Sequence, residues 1–318
     1  MIKPPKDLIS LLKRSKNILI VSHVDPDCDS TGSALAMSQI LKKMKLRSTL
    51  FCHSKIPPLY SFLPGIRSYT DKLLKKKYDL TIALDCGDYR RMDIPAIDRP
   101  RLGVLVNIDH HSDNTQFGDI NYTHSVAATA ELVYYLANIL KVKLDANIAT
   151  CLYSAVMTDT GSFRYDNVTP KIFDVARQLV LLGADPNKIA QQVYESRTIN
   201  SLKLLGLALD NIKMFSHGKV VMTGITRKMF ETTRAGEDDI NGIVDHLRSI
   251  KGVEVAVLLR EVNSKRVKVN FRSKRYVNVQ KVAKSLGGGG HIRASGVILA
   301  MDRKSALKKI IQAISKIF

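Results

Sequence analysis

The chain has no tryptophan, and aromatic residues make up only 6% of its 318 positions. With 11 Tyr and 9 Phe, it has little material for a stacked-base platform, which argues against a protein that grips long single strands by stacking. Cysteine is scarce. Cys28, Cys52, Cys86 and Cys151 stand far apart, match no zinc-ligand spacing and suggest no disulfide framework, so they are read as reduced thiols. No apolar run is long enough to span a bilayer. The opening residues, Met1-Ile2-Lys3-Pro4-Pro5-Lys6, lack the apolar core of a signal peptide, and the expected location is the cytoplasm. Internal repeats and low-complexity segments are missing too.

Acid is also in short supply: 29 Asp and Glu stand against 49 Lys and Arg, for a net charge of +20. The deficit is unevenly shared. Residues 1–196 hold 25 basic and 20 acidic side chains, whereas residues 197–318 hold 24 and 9. So electropositive a C-terminal part suggests polyanionic partners such as nucleic acid or nucleotides. Hydrophobic content of 45% and charged content of 25% are those of a soluble globular protein, and 318 residues suffice for two domains.

The acids that are present cluster at the ends of apolar segments. Gly103 to Ile108 is β-branched and apolar, reads as a buried strand, and runs into Asp109-His110-His111. Charge at the carboxyl end of a parallel strand falls in the crevice where open α/β sheets bind ligands. Adjacent histidines point in different directions, so one can hold a metal while the other faces substrate. Asn17 to Ser22 is a first strand. It leads to His23-Val24-Asp25-Pro26-Asp27-Cys28-Asp29-Ser30-Thr31-Gly32-Ser33 and then the helical pattern Ala34 to Met44. Read as an extended loop, this segment puts His23, Asp27 and Asp29 where they converge on a hard cation. Gly32 and Ser33 then offer an anion site at the helix N-terminus. Arg47 to Cys52 is a second strand, Leu73 to Tyr78 ends a basic helix, and Asp79 to Leu84 is a strand delivering Asp85, with Asp88 as a cap. Helices are expected at Val126 to Leu140 and Asp145 to Met157. Asp159 follows the latter directly, a costly place for a carboxylate unless it is paired or ligates metal.

Further helices are expected at 170–182 and 186–194, and a connector at Ile199 to Lys213. Strands at Lys219 to Thr226, Val253 to Val262 and Arg266 to Arg272 follow, with a helix at 238–250. A helix over Asn278 to Ser285 then precedes Gly287-Gly288-Gly289-Gly290-His291-Ile292-Arg293-Ala294-Ser295-Gly296. Four glycines in a row are read as freeing backbone N–H groups for an anion rather than serving packing; with His291 and Arg293 they form a phosphate cradle. Mostly carboxylate ligands with two histidines favour manganese or magnesium, and manganese suits the nitrogen donors better.

Taken together, His23-Val24-Asp25-Pro26-Asp27-Cys28-Asp29, Asp85, Asp109-His110-His111, Thr158-Asp159-Thr160-Gly161 and the glycine run with Ala294-Ser295-Gly296 resemble the DHH phosphoesterase family. The C-terminal end is similar to its DHH-associated domain. The nearest likeness is to the nanoRNase type, oligoribonucleases that are also 3′-phosphoadenosine-5′-phosphate (pAp) phosphatases. The likeness spans nearly the whole chain. It departs at Cys28, where the family often has glycine.

The resemblance implies an α/β fold. A catalytic domain over 1–196 would carry a mostly parallel sheet flanked by helices. A connector helix over 197–213 and a smaller substrate-binding α/β domain over 214–318 would follow, with the active site in the cleft between the domains. Two metal ions, Mn2+ or Mg2+, are implied, with Asp85 bridging. His23 and Asp27 would complete one site; Asp29, His110 and Asp159 the other. His111 would contact the reacting phosphate and Asp109 would orient a histidine. Arg272, Gly288, Gly289, Gly290, His291, Arg293 and Ser295 would hold the rest of the substrate. The implied substrates are short RNA, linear pApA and pAp, cleaved by metal-activated water. A homodimer is implied by the subgroup. The alternatives are a cyclic di-AMP phosphodiesterase and a RecJ-type single-strand exonuclease. Inorganic pyrophosphatase and a non-catalytic nucleic-acid binder fit the motifs less well.

Overall fold

The computed structural model describes residues 2–317 and divides between Ser196 and Arg197 into two units. The first unit is built on a six-stranded, wholly parallel sheet. Its strands are β1 (Asn17–Ser22), β2 (Arg47–Phe51), β3 (Tyr69–Thr70), β4 (Leu80–Leu84), β5 (Val104–Asp109) and β6 (Ile120–Thr123), in the order β3-β2-β1-β4-β5-β6. Strands such as Leu80–Leu84 are apolar at almost every position because helices and loops cover both faces. The chain lays β1 to β3 in one direction, then returns to build β4 to β6 on the other side. The switch point therefore lies between β1 and β4, which is where such sheets open a ligand crevice beyond their carboxyl ends.

Around this sheet pack α1 (Lys6–Arg14), α2 (Cys28–Lys43), α3 (Thr129–Ile139), α4 (Ala146–Asp159), α5 (Pro170–Leu181) and α6 (Pro186–Tyr194). The structure corrects the sequence reading at α2. Its helix starts at Cys28 rather than Ala34, with Asp27 as N-cap accepting from Ser30 N at 2.9 Å. Thr31, Gly32 and Ser33 are therefore buried inside the helix and provide no N-terminal anion site. Small polar residues favour caps and turns in isolation, but close packing of α2 on α4 overrides that preference. Gly32 is needed for this approach: a Cβ there would lie 2.5 Å from Cys151 O and 3.2 Å from Ala155 Cβ. A second correction concerns Leu73 to Tyr78, which forms no helix. Three consecutive lysines leave it no apolar stripe to bury, and Tyr78 N instead bonds Arg101 O at 2.8 Å. The short strands β3 and β6 were not expected; at the sheet edges they carry too few residues for a periodic signal.

The second unit has its own mixed sheet. Its strands are β7 (Lys213–Phe215), β8 (Val220–Ile225), β9 (Val255–Asn263), β10 (Arg266–Ser273), β11 (Gly289–Gly290) and β12 (Ala294–Leu299), in the order β11-β12-β10-β9-β8-β7. Only β8 and β9 run parallel. One face is covered by α7 (Ile199–Asp210), α8 (Arg227–Thr233) and α9 (Ile243–Ser249), the other by α10 (Val279–Ser285) and α11 (Arg303–Ser315). The expected connector is thus α7, an integral part of this unit: Leu204 and Ala208 are buried with Val221, Ile243 and Leu247.

Gly32→Val should lower stability in urea unfolding by about 1–3 kcal/mol, because the added atoms have nowhere to go between α2 and Cys151 O. An unchanged midpoint would show that the two helices can separate without cost.

Candidate metal centre

The carboxyl ends of β1, β4 and β5 bring three motifs to one place. His23 follows β1, Asp85 follows β4, and Asp109 ends β5 ahead of His110 and His111. Asp85 is the centre. It is only 1% exposed, and its backbone takes φ 60°, a left-handed conformation that a non-glycine residue holds only where its surroundings impose it. Its Oδ2 lies 3.4 Å from His23 Nε2. Its Oδ1 lies 3.5 Å from His110 Nε2 and 3.6 Å from His111 Nδ1, and accepts from Thr129 Oγ1 at 2.9 Å.

Each ring is held from behind. His23 Nδ1 is 2.8 Å from both Val24 O and Arg91 Nη2, which turns Nε2 toward Asp85 and toward Asp27 Oδ1 at 3.7 Å. His110 Nδ1 sits 3.2 Å from Val126 O, and its Nε2 faces Asp159 Oδ2 at 3.5 Å and Asp29 Oδ2 at 3.8 Å. His111 Nδ1 donates to Asp109 Oδ1 at 2.7 Å. Asp109 is itself held by Asn114 Nδ2, which also reaches Asn107 Oδ1 at 2.7 Å. Asp29 accepts from Thr129 N at 2.6 Å, Ala130 N at 3.0 Å and Ser33 Oγ at 3.0 Å, so it ties α2 to the start of α3. Asp159 ends α4, where the helix dipole disfavours an anion and a cation is welcome.

The electrostatics reflect charge crowded into a dry place. Burial, then the neighbouring Asp85 and Asp159, pushes Asp29 well above the carboxylate range. Burial, with Asp85 and Asp27 adding to it against the pull of His110, pushes Asp159 up to about 7. Burial alone would lower the histidines, but carboxylates outweigh it. Asp27 and Asp85 raise His23 to about 9, and Asp159, Asp85 and Asp29 raise His110 to about 10. His111 is raised chiefly by Asp109 against the effect of burial; in return His111 outweighs burial at Asp109 and holds that carboxyl low.

The donor set fits divalent cations. His23, Asp27 and Asp85 bring ligand atoms within 4.8 Å of one another; so do Asp29, Asp85 and His110, and so do Asp85, Asp109 and His111. Asp85 belongs to all three groups. Oxygen-rich donors with imidazole are what a buried divalent metal site uses. The roles of Thr129, Arg91 and Asn114 have no sequence signal, because a threonine at a helix start, an arginine in a loop and an asparagine in a turn carry no motif of their own.

The glycine run of the second unit differs from expectation. Gly287 N bonds Lys284 O at 3.0 Å, Gly288 N bonds Ala283 O at 2.7 Å and His291 N bonds Ala294 O at 2.7 Å, so these N–H groups are turned into the protein. Gly289 and Gly290 form β11 against β12. Packing does explain two of the glycines. A Cβ at Gly288 would overlap Gly296 O, and one at Gly290, where φ is 128°, would lie 2.7 Å from Ala294 O. Ser295 is buried and donates to Val279 O at 2.7 Å, which makes it a strut for α10 rather than an open contact. Arg293 Nη1 donates to Val277 O at 3.0 Å, and Arg272 Nε lies 3.8 Å from Asp245. Arg272, His291 and Arg293 are each half-buried.

Residues 17–156 match the DHH family N-terminal domain model, and residues 219–318 match the DHHA1 domain model. The chain is 33% identical to the bifunctional oligoribonuclease and PAP phosphatase NrnA of Thermus thermophilus, over 93% of this chain and 89% of that protein. It is 27% identical to the protein of the same name from Bacillus subtilis, over 91% of each. An exopolyphosphatase-related protein from Bacteroides fragilis superposes with a TM-score of 0.88 at 27% identity, over 98% of this chain and 95% of that one. Motif order, buried His/Asp clusters at the switch point and these matches agree: the chain belongs to the DHH/DHHA1 phosphoesterases.

Proposed function

We propose that this phosphoesterase hydrolyses short oligoribonucleotides, linear pApA and pAp, using two divalent ions, with manganese preferred. The observation that carries the reading is Asp85, a buried carboxylate shared by a His23/Asp27 group and an Asp29/His110 group, as one bridging ligand requires. The names of the T. thermophilus and B. subtilis relatives supply the substrate class.

His23 and Asp27 would hold one ion, and Asp29, His110 and Asp159 the other, with Asp85 common to both. Ions so held polarise a phosphoryl oxygen and lower the pKa of water. The chain's own residues do the rest. Asp109 fixes His111 through Nδ1 and favours its protonated form, so that Nε2–H donates to a non-bridging phosphoryl oxygen as negative charge builds there. Val24 O and Arg91 fix the His23 ring, and Val126 O fixes that of His110, so neither must reorganise during the reaction. Arg272 and Arg293, with His291, are the second unit's candidates for binding a phosphate group, which suits short substrates bearing a terminal phosphate.

Three outcomes test this. With Mn2+, the protein should release mononucleotides from pApA and a five-nucleotide RNA and dephosphorylate pAp, and EDTA should stop all three; chromatography of the products decides. Faster opening of cyclic di-AMP than cleavage of pApA would move the protein to second-messenger turnover. Asp85→Asn should reduce turnover to below about a tenth of wild type, since both groups lose a ligand charge; activity above that level would defeat the shared-ligand assignment. Metal binding must also displace protons. His23 at about 9, His110 at about 10 and Asp159 at about 7 are each protonated in a large share of the metal-free protein near neutrality. Raising the pH from 6 to 8 should therefore tighten Mn2+ binding by about tenfold or more, with proton release visible by calorimetry in buffers of different ionisation enthalpy. An affinity independent of pH would contradict the ligand set.

A further inference from the structure

We infer that Tyr276 is a nucleobase-stacking platform, a specificity element in the turn that Arg293 also holds, and the inference rests on the substrate reading above. Tyr276 is 59% exposed, the one exposed aromatic among the described residues of the second unit; Phe271 is buried, and Phe215 and Phe230 are half-buried. Exposed rings are common on proteins, so exposure alone means little. What distinguishes this ring is the backbone beneath it.

Glu254 is buried, at 1% exposure, and one of its oxygens accepts three successive N–H groups. Oε1 lies 2.9 Å from Arg275 N, 2.8 Å from Tyr276 N and 3.1 Å from Val277 N. Lys274 N adds a bond to Glu254 O at 2.9 Å. The other side of the segment is fastened to the His291 turn. Ser273 N bonds Arg293 O at 3.0 Å, Val279 N bonds Ile292 O at 2.9 Å, and Arg293 Nη1 reaches Val277 O at 3.0 Å. A buried carboxylate is a costly way to hold a surface turn, unless the turn must keep one conformation. The result is a rigid turn that carries a largely exposed aromatic ring.

The setting suits a nucleotide. Arg275, exposed, precedes Tyr276 in the turn, and Arg293 Nη1 reaches Val277 O immediately after it. An anionic ligand whose phosphate meets Arg293 or His291 has a ring one residue away from the carbonyl that Arg293 grips. A ring fixed in advance loses little entropy when a base stacks on it, and every base offers a π face, so the contact reads "nucleotide" rather than a sequence.

The test uses the full chain with Tyr276→Ala, Tyr276→Phe and Tyr276→Trp. Tyr276→Ala should raise KM for a short oligoribonucleotide about tenfold, with kcat within about twofold of wild type. Tyr276→Phe should restore KM, and an abasic dinucleotide should show no difference among the variants. An unchanged KM for RNA, or an equal rise on the abasic dinucleotide, overturns the inference. A second readout does not depend on turnover. The chain has no tryptophan, so Tyr276→Trp carries a single indole reporter. In EDTA, its fluorescence should be quenched by AMP and not by ribose 5-phosphate. No quenching by millimolar AMP, or equal quenching by both, overturns the platform. Should the wild type cleave no nucleotide, the proposed activity falls, and selective quenching by AMP would still uphold the platform.

Discussion

Five carboxylates (Asp27, Asp29, Asp85, Asp109, Asp159) and three imidazoles (His23, His110, His111), most of them buried, meet at Asp85, and the first unit is arranged to make that meeting tolerable. Charge of one sign at such density in a dry place is not stable by itself. The protein relieves part of it internally. Asp29 is satisfied by the first N–H groups of α3, Asp85 by the Thr129 hydroxyl, and protons settle on His23, His110 and Asp159. A divalent cation held by these donors would relieve the rest by taking the place of those protons. Asp85 also takes a left-handed backbone, φ 60°, directly after β4.

That arrangement is a consequence of sheet order. Because β1 and β4 are neighbours at the switch point and β5 lies next to β4, residues 23, 85 and 109–111 become adjacent although some 60 residues separate the first two along the chain. The helices bring the rest. Close packing of α2 on α4, permitted by Gly32, places Asp27 and Asp29 from the start of one near Asp159 at the end of the other.

The second unit solves a different problem with similar means. It carries most of the excess positive charge. Gly288 and Gly290 let β11 lie against β12, Ser295 braces α10, and Glu254 pins the turn that carries Arg275 and Tyr276. The glycine run is thus as much a packing device as a route to exposed backbone. Its N–H groups are largely taken by the fold.

Much of this was legible in the residues. Apolar runs ending in acid and histidine announced the strands β1, β4 and β5 and the side chains they deliver. An acid directly after an apolar helix announced Asp159, and an even pattern of helices and strands announced an α/β chain of two parts. The local reading failed where neighbours outvote propensity. The small polar residues at 30–33 read as loop and are helix, because burial against α4 stabilises what isolated propensity would not. The short edge strands β3 and β6, the roles of Thr129, Arg91 and Asn114, and the clamp from Glu254 to the 275–277 turn involve partners tens of residues away. By itself the sequence determined which groups could do chemistry, since identity and periodicity are local properties. Only the tertiary structure decided which atoms share one site, since hydrogen bonding, burial and charge coupling act through space and not along the chain.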